Sequence, residues 1–373
     1  MKPKIALFVP SLTGGGAERV MVTVANHLAR RAYPTQLVIA KPDLTYAKEL
    51  SSEVQLINLN TYRMTRTVLP LARYFRVERP DAVLSTLAEA NIVAILARRI
   101  AGFPSRLVVR EANTPSQQLL QHPHWKKRFT GKILRQIYLR ADAIVAVSNG
   151  VYRDLVEGMR LPVSKVHLIR NPVPLKEIHQ KMRQPVEHPW FAEDAPPVIL
   201  SVGRLEAQKD YPNLIRAFAG ARESINARLV VLGEGSERHA LQQLIQSLGL
   251  EGSVDLPGFD PNPFRYMGRA RLYVLSSRYE GFPNALVQAL ACGCPIVSTD
   301  CESGPRDILN DGQYGLLVPV GDVEKMAQAI VQAIRQPPPP APREWIEQFD
   351  AEHVIEQLID VLIPNLQFLR DDT

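Results

Sequence analysis

An alternation of short apolar runs with amphipathic helical stretches, begun at residue 4 and begun again at residue 197, constrains this chain more than any other feature. The first series opens with KIALFVP (4–10), passes a Gly-rich turn, SLTGGG, and enters a helical pattern from about Ala17 to Arg31. TQLVIA, VQLINL, DAVLST, RLVVREAN, AIVAVS and KVHLIRNPV follow as strands, with helical patterns near 67–78, 89–101, 125–140 and 149–159. The second series runs through PVILSVGRL, ARLVVLGEG, SVDLPGF, RLYVLSS, PIVSTD and GLLVPV, with helices over 211–222, 236–248, 262–269, 284–291 and 322–335. Continuous apolar runs separated by helices suit parallel strands covered on both faces, so each series predicts a doubly wound α/β sheet. Two Rossmann-like domains facing a central cleft follow, with a ligand expected in the crevice between them, beyond the carboxyl ends of the strands.

Length agrees, since 373 residues are long for one core and comfortable for two. Residues 173–196, rich in Pro, His and charge, read as a linker between domains over 1–172 and 197–343. QPPPPAPRE (336–344) reads as a stiff spacer, and 344–373 as a helical segment, interrupted by Pro364, that can pack back across the N-terminal domain. No run of eighteen apolar residues offers a membrane span, and the apolar stretch of MKPKIALFVPSLTGGG is too short for a signal peptide. Cys292, Cys294 and Cys301 are too few for a disulfide framework. Their C-x-C-x6-C spacing could hold a metal, but with no His nearby they read as small packing residues in a reducing cytosol. Charge is uneven: Lys and Arg outnumber acids 26 to 11 through Pro172, while the remainder has 18 against 27. That asymmetry suggests domains facing different partners.

Three loops carry residue types suited to a phosphorylated sugar. In SLTGGGAER (11–19), Gly14, Gly15 and Gly16 would let backbone N–H groups approach an anion at a helix start, although a tight turn without ligand explains the run as well. It fits neither the dinucleotide fingerprint nor the Walker loop. In VGRLEAQKDYPNLIRAF (202–218), Gly203 and Arg204 end a strand and Lys209 follows five residues on. Two cations above the carboxyl edge of a sheet suit a diphosphate whose charge grows as it leaves, the alternative being a solvated surface pair. In EGFPNALVQAL (280–290), Gly281 and Pro283 shape a loop opening a helix, Glu280 can accept from sugar hydroxyls, and Gln288 lies eight residues on. Two helical turns would bring both side chains to one ligand, with Gln288 placed to bond a diol such as ribose. A helix-start acid favoured by the dipole is the plainer reading of Glu280. ESGPRDIL (302–309) adds a further Gly-bearing turn.

Together, Arg204, Lys209, EGFPNALVQAL and SGPRDIL, with GGGAERV and LIRNPV, resemble the retaining glycosyltransferases of family 4, which have the GT-B fold. The resemblance covers nearly the whole chain and is strongest to bacterial enzymes that extend lipid-linked or surface glycans. It implies that Arg204 and Lys209 hold the nucleotide diphosphate and that Glu280 meets the donor sugar. Gly15, Gly16, Gly203, Phe259, Gly281, Phe282, Pro283, Asn284 and Leu286 would join Gln288 around the donor. Two departures stand out. Gln288 replaces the second acid of the family's E-x7-E motif, keeping hydrogen-bonding capacity without the charge. Glu111 and Asn113, in VVREANTPS (108–116), stand in a region where many relatives carry a cleft His. With no D-x-D motif, the resemblance implies a metal-independent enzyme that uses no cofactor beyond its nucleotide-sugar substrate.

HPHWKKRFTGKILRQIYLR (122–140) holds six Lys or Arg and no acid, with Phe129, Ile133 and Ile137 marking an apolar face. RMTRTVLPLARYFRVER (63–79) adds five Arg against one Glu. Lys126, Lys127, Arg128, Lys132 and Arg135 would face an anionic inner leaflet or a diphosphate-linked acceptor, the alternative being a solvated face. No nucleic-acid module accompanies the charge. The sequence thus predicts a retaining enzyme moving a hexose or N-acetylhexosamine, from a UDP-sugar by preference, to a glycan acceptor on the cytoplasmic membrane face. A GT-B sugar-nucleotide epimerase and a non-catalytic sugar-nucleotide or nucleic-acid binder are the alternatives.

Overall fold

The computed structural model describes residues 2–13, 15–114 and 124–364, the side chains of 124–130 excepted. Its contacts divide the chain into one unit over Met1–Val173 and Phe349–Thr373 and a second over Pro174–Gln348.

In the first unit, seven strands form a sheet: β1 (Ile5–Val9), β2 (Thr35–Ile39), β3 (Gln55–Asn58), β4 (Ala82–Thr86), β5 (Arg106–Glu111), β6 (Ala143–Ala146) and β7 (Val166–Leu168). Their order is β3-β2-β1-β4-β5-β6-β7, with every pairing parallel. The helices are α1 (Gly16–Arg30), α2 (Met64–Glu78), α3 (Ala88–Ala101), α4 (His124–Tyr138) and α5 (Asn149–Arg153). β1, β2 and β4 are buried at every position, as strands covered on both faces must be. α2 begins a turn earlier than the sequence suggested, carrying Pro70 inside it at the cost of one backbone donor. Among the described side chains of α4, Leu134 and Tyr138 are buried, whereas Ile133 is 45% exposed. Positions 133/137 and 134/138 have the same four-residue spacing, so periodicity alone does not select between faces 100° apart. Phe129, also expected on that face, lies outside the described side chains.

The second unit has six strands: β8 (Val198–Val202), β9 (Arg228–Leu232), β10 (Val254–Gly258), β11 (Leu272–Leu275), β12 (Ile296–Thr299) and β13 (Leu316–Val318). They are ordered β10-β9-β8-β11-β12-β13, again all parallel. Its helices are α6 (Leu175–Lys181), α7 (Tyr211–Ala221), α8 (Arg238–Ser247), α9 (Phe264–Met267), α10 (Asn284–Ala291), α11 (Pro305–Ile308), α12 (Val323–Arg335) and α13 (Arg343–Glu347). Leu214, Ile215 and Phe218 of α7 and Met326 and Ile330 of α12 close one core with Ile199, Leu229, Val231 and Val274 of the sheet.

Of the segment 173–196, expected as a linker, Val173 belongs to the first unit and 174–196 are built into this one. Leu175 and Ile178 of α6 are buried, His188 lies 2.8 Å from Asp255, and Arg228 sits over the Trp190 ring at 4.9 Å. Its Pro and His content masked these contacts, which join residues distant in sequence. The helix expected from 344 is two: α13, then α14 (Ala351–Leu362), whose first turn is capped by Asp350 accepting from Glu352 N at 3.0 Å. Val354, Ile355, Leu358, Ile359 and Leu362 of α14 pack into the first unit's core beside Val20, Met21, Val24 and Leu28 of α1. Among the described residues no helix is long and apolar enough to cross a membrane.

Candidate active site

In the second sheet the chain winds one way from β8 and the other way from β11, which lie side by side. Loops leaving neighbouring strands of opposite winding diverge, opening a crevice at their carboxyl ends. The sequence places Gly203 and Arg204 after β8 and Ser276 to Glu280 after β11, so the expected site residues meet at this switch point.

Among the described residues, five contacts join the two loops and a sixth braces one of them from within. Arg278 N donates to Gln208 O at 2.8 Å, and Gln208 Nε2 donates to Tyr279 O at 2.8 Å. Ser276 Oγ donates to Lys209 O at 2.6 Å, and Arg278 Nη2 meets Asp210 Oδ1 at 3.0 Å. Asp210 is left-handed (φ 48°, ψ 44°), a conformation that Asp tolerates better than most residues, and it turns the chain from Lys209 into α7. Lys209 Nζ donates to Glu280 Oε1 at 2.6 Å, and Ser277 Oγ reaches the same oxygen at 2.5 Å. Glu280 is 8% exposed, so its charge is partly desolvated and depends on these donors. Arg204 is exposed and has no partner among the described residues, leaving its guanidinium available to an incoming anion.

Gly233 and Gly304 shape the backbone here. At Gly233 (φ 147°) a side chain would collide with the Gly203 carbonyl. Gly304 (φ 94°) packs against the 281–283 loop, where a methyl would strike Pro283 Cδ and lie 3.3 Å from Phe282 Cα. This explains the Gly-bearing turn of SGPRDIL: it lets that turn buttress the loop below Glu280.

Other expected positions fare differently. Glu280 precedes α10, which starts at Asn284 after Pro283. The eight residues to Gln288 are therefore a loop and one helical turn rather than two turns of one helix. Gln288 is half-buried, and its side chain has no partner among the described residues. Asn284 is half-buried and Phe259, just past β10, is 50% exposed. Phe282 is buried, leaving its loop to act through backbone. Leu286 is a correction: it is fully buried, with its N–H donating to Pro283 O at 3.0 Å, and packs beneath the loop. In the first unit Glu18 lies over Gly15 at the start of α1, so the chain's own carboxylate stands where an anion was expected beside Gly15 and Gly16. Gly14 lies outside the described residues.

Glu111 is a second correction. Expected with Asn113 as an acceptor or cleft residue, it is buried at the end of β5, accepting from Tyr138 Oη and, at 2.8 Å, from Asn91 Nδ2. Burial pushes its carboxyl up to about 7, against the pull of those bonds and of Arg110. Asn113 is half-buried two residues on. Lys132 is exposed, and Arg135 Nε donates to Arg160 O at 3.1 Å. The side chains of Lys126, Lys127 and Arg128 lie outside the description. The three cysteines are buried and free, and burial pushes the Cys292 and Cys301 thiols up to about 12, as inert packing residues require. Ser277, Asp210 and Arg278 escaped sequence reading. The signal was present in SSRYE, a pair of hydroxyls just ahead of the key acid.

Two doubly wound parallel sheets, the second with a cation–carboxylate pair at its switch point, define the GT-B class. Among solved structures, HepE of Anabaena in complex with UDP and glucose superposes with a TM-score of 0.79 at 20% identity, covering 96% of this chain and 99% of that one. Sucrose-phosphate synthase of Thermosynechococcus elongatus gives 0.80 at 18% identity, with 100% of each chain covered. The family models for glycosyltransferase family 4 and for glycosyl transferases group 1 match residues 14–177 and 184–350. N-acetylgalactosamine-N,N'-diacetylbacillosaminyl-diphospho-undecaprenol 4-alpha-N-acetylgalactosaminyltransferase of Campylobacter jejuni is 32% identical over 335 residues, 88% of this chain and 89% of the relative. The chain belongs to the family 4 glycosyltransferases.

Proposed function

We propose that the protein transfers a hexose or N-acetylhexosamine from a nucleotide sugar, with retention at the anomeric carbon, to a lipid-linked or cell-surface glycan. The observation that carries this reading is the Lys209–Glu280 pair at the switch point of the second sheet, with Arg204 at the end of β8 exposed and its side chain without a partner among the described residues. Arg204 and Lys209 bind the donor diphosphate and stabilise the negative charge that grows on it as the glycosidic bond breaks. Glu280 accepts at Oε1 from Lys209 Nζ and Ser277 Oγ and offers Oε2, which takes no bond from the described residues, to a hydroxyl of the donor sugar. Gln288 bonds the ribose diol. The acceptor hydroxyl attacks from the face the diphosphate leaves, the departing oxygen taking its proton, so positioning and charge stabilisation supply the catalysis. No metal is required where two side-chain cations serve the diphosphate.

UDP is favoured as the nucleotide because the similarly folded HepE is a complex with UDP and glucose. A diphospho-polyprenol acceptor is favoured by the Campylobacter relative's activity. A peripheral position on the inner membrane face is supported by exposed Arg66, Leu69, Arg73 and Val77 along one side of α2, and by Lys132 on α4. The test mixes the protein with UDP-, GDP- and ADP-sugars and measures nucleotide release with and without a bacterial lipid extract. Extract-dependent release from one sugar nucleotide, with the product anomer retained, is the expected result; no release from any donor overturns the proposal.

A further inference from the structure

Lys209 and Ser277 converge on one oxygen of Glu280, and the two donors differ in kind. Lys209 is a charged donor that the proposed diphosphate also needs, and its side chain retains 18% exposure. Ser277 is fully buried, and no phosphate can reach it. Its backbone is held as well, with Thr299 Oγ1 donating to Ser277 O at 2.7 Å from the end of β12. The carboxylate therefore has one donor that ligand can draw away and one that it cannot.

We propose that Ser277 is a positioning residue for donor binding, which keeps Glu280 hydrogen-bonded and oriented while Lys209 turns its charge towards the diphosphate. This rests on the diphosphate reading of the site. As Lys209 engages phosphate, its hold on Oε1 weakens, and a carboxylate that is 8% exposed would be left short of donors. A buried acceptor left unsatisfied is costly, and more so when charged. The Ser277 hydroxyl lowers that cost by remaining in place, so the lysine can be shared. It also fixes which oxygen faces the protein, leaving Oε2 for the donor sugar. Without the hydroxyl, Glu280 must keep Lys209 as its sole donor on Oε1, and the lysine is withheld from ligand.

The test is calorimetric titration of the full-length protein with UDP, GDP and ADP at one pH, for the parent, Ser277→Ala, Ser277→Thr, Glu280→Gln and the double variant Ser277→Ala/Glu280→Gln. Ser277→Ala is expected to weaken the nucleotide that binds the parent by about tenfold, the worth of one hydrogen bond to a charged group. Ser277→Thr, which keeps the hydroxyl, should restore the affinity. In the Glu280→Gln background, where no buried charge is left behind, Ser277→Ala should change affinity less than twofold. A mere packing role would give the same loss in both backgrounds, because the fit of the serine is unchanged by the charge of its partner. Equal loss in both backgrounds, unchanged affinity in Ser277→Ala, or a Ser277→Thr variant as weak as the alanine overturns the positioning role and leaves the diphosphate site standing. A parent that binds none of the three nucleotides overturns both.

Discussion

Arg204 and Lys209 are expected to serve the same anion, yet replacing them should have separable consequences. Arg204 is exposed and its side chain has no hydrogen-bond or ion-pair partner among the described residues, so Arg204→Ala should change stability by no more than about 0.5 kcal/mol, as at other surface positions. Its loss should be felt in turnover. Removing one preorganised donor from a developing charge costs about 2–4 kcal/mol, roughly 30- to 1,000-fold in rate. Lys209→Ala carries that same rate penalty and a second cost. Glu280 loses the cation 2.6 Å away and retains only the Ser277 hydroxyl on Oε1. Removing one partner of a fully buried pair costs about 3–5 kcal/mol, and the partial exposure of Lys209 moves the estimate to roughly 2–3 kcal/mol. For a unit of this size that is about 4–12 °C in Tm.

Two measurements separate the cases: steady-state nucleotide release at saturating donor, and scanning calorimetry of each variant without ligand. The expected pattern is a catalytic loss in both variants and a thermal loss in Lys209→Ala alone. Near-parental kcat in both variants would refute the diphosphate assignment. A Tm drop in Arg204→Ala equal to that in Lys209→Ala would refute the division of labour, since an unpartnered side chain has nothing to release.

Gln288→Ala should raise the donor KM by the equivalent of about 1–3 kcal/mol, because a ribose diol is left unpaired, while Gln288→Glu is tolerated; an unchanged KM in the alanine variant removes Gln288 from the site. Gly304→Ala places a side chain at φ 94° against Pro283, so it should destabilise by at least about 1–2 kcal/mol and lower kcat/KM by displacing the 281–283 loop. A variant with parental Tm and activity would show that the buttress is dispensable. Replacing Lys126, Lys127, Lys132 and Arg135 by Gln should weaken co-sedimentation with anionic vesicles by about 1 kcal/mol per charge near the surface, and parental binding by the quadruple variant would refute the membrane assignment.

The two-sheet architecture was legible because parallel strands buried on both faces need continuous apolar runs, and such runs survive as readable text. IALFV and AVLST sit at the centre of the first sheet with every residue buried. The same logic failed at 174–196, where cohesion comes from the His188–Asp255 contact and the Trp190–Arg228 stack, separated by 67 and 38 residues, rather than from an apolar period. At the candidate site, the placement of Arg204, Lys209 and Glu280 at the carboxyl edge of the second sheet was legible because their charge and their place after apolar runs are both local facts. Ser277 was not, because its significance lies in sharing an oxygen with a lysine from another loop. Leu286 reads as a ligand contact from sequence because it stands in a motif whose other members line a loop, whereas in the fold it is fully buried.

Glu111 shows the opposite failure, a polar residue at a strand end that turned inward, and it yields a sharp expectation about pH. Arg110 and Glu111 are neighbours on β5 and point to opposite faces of the sheet. Arg110 bonds Thr86 Oγ1 at 2.7 Å and Asn171 Oδ1, while Glu111 bonds Tyr138 and Asn91. Burial raises the Glu111 carboxyl from its ordinary 4.5 to about 7, with the Asp154 charge adding slightly and Arg110 opposing. Between those values the folded protein holds a proton that the unfolded chain has released, so stability declines as pH rises through the window. The contribution is complete below about pH 4.5 and lost above about pH 7, a difference of roughly 3 kcal/mol at 1.36 kcal/mol per unit. Glu111→Gln keeps an oxygen that accepts from Tyr138 and Asn91 and removes the titration. Urea unfolding of parent and variant between pH 4.5 and pH 8 should show a stability difference that grows in favour of Glu111→Gln by about 3 kcal/mol across that range. Other carboxylates titrate alike in both proteins and cancel. A difference that stays flat with pH would mean that Glu111 is ionised in the folded protein throughout, and that its bonds to Tyr138 and Asn91 outweigh its burial.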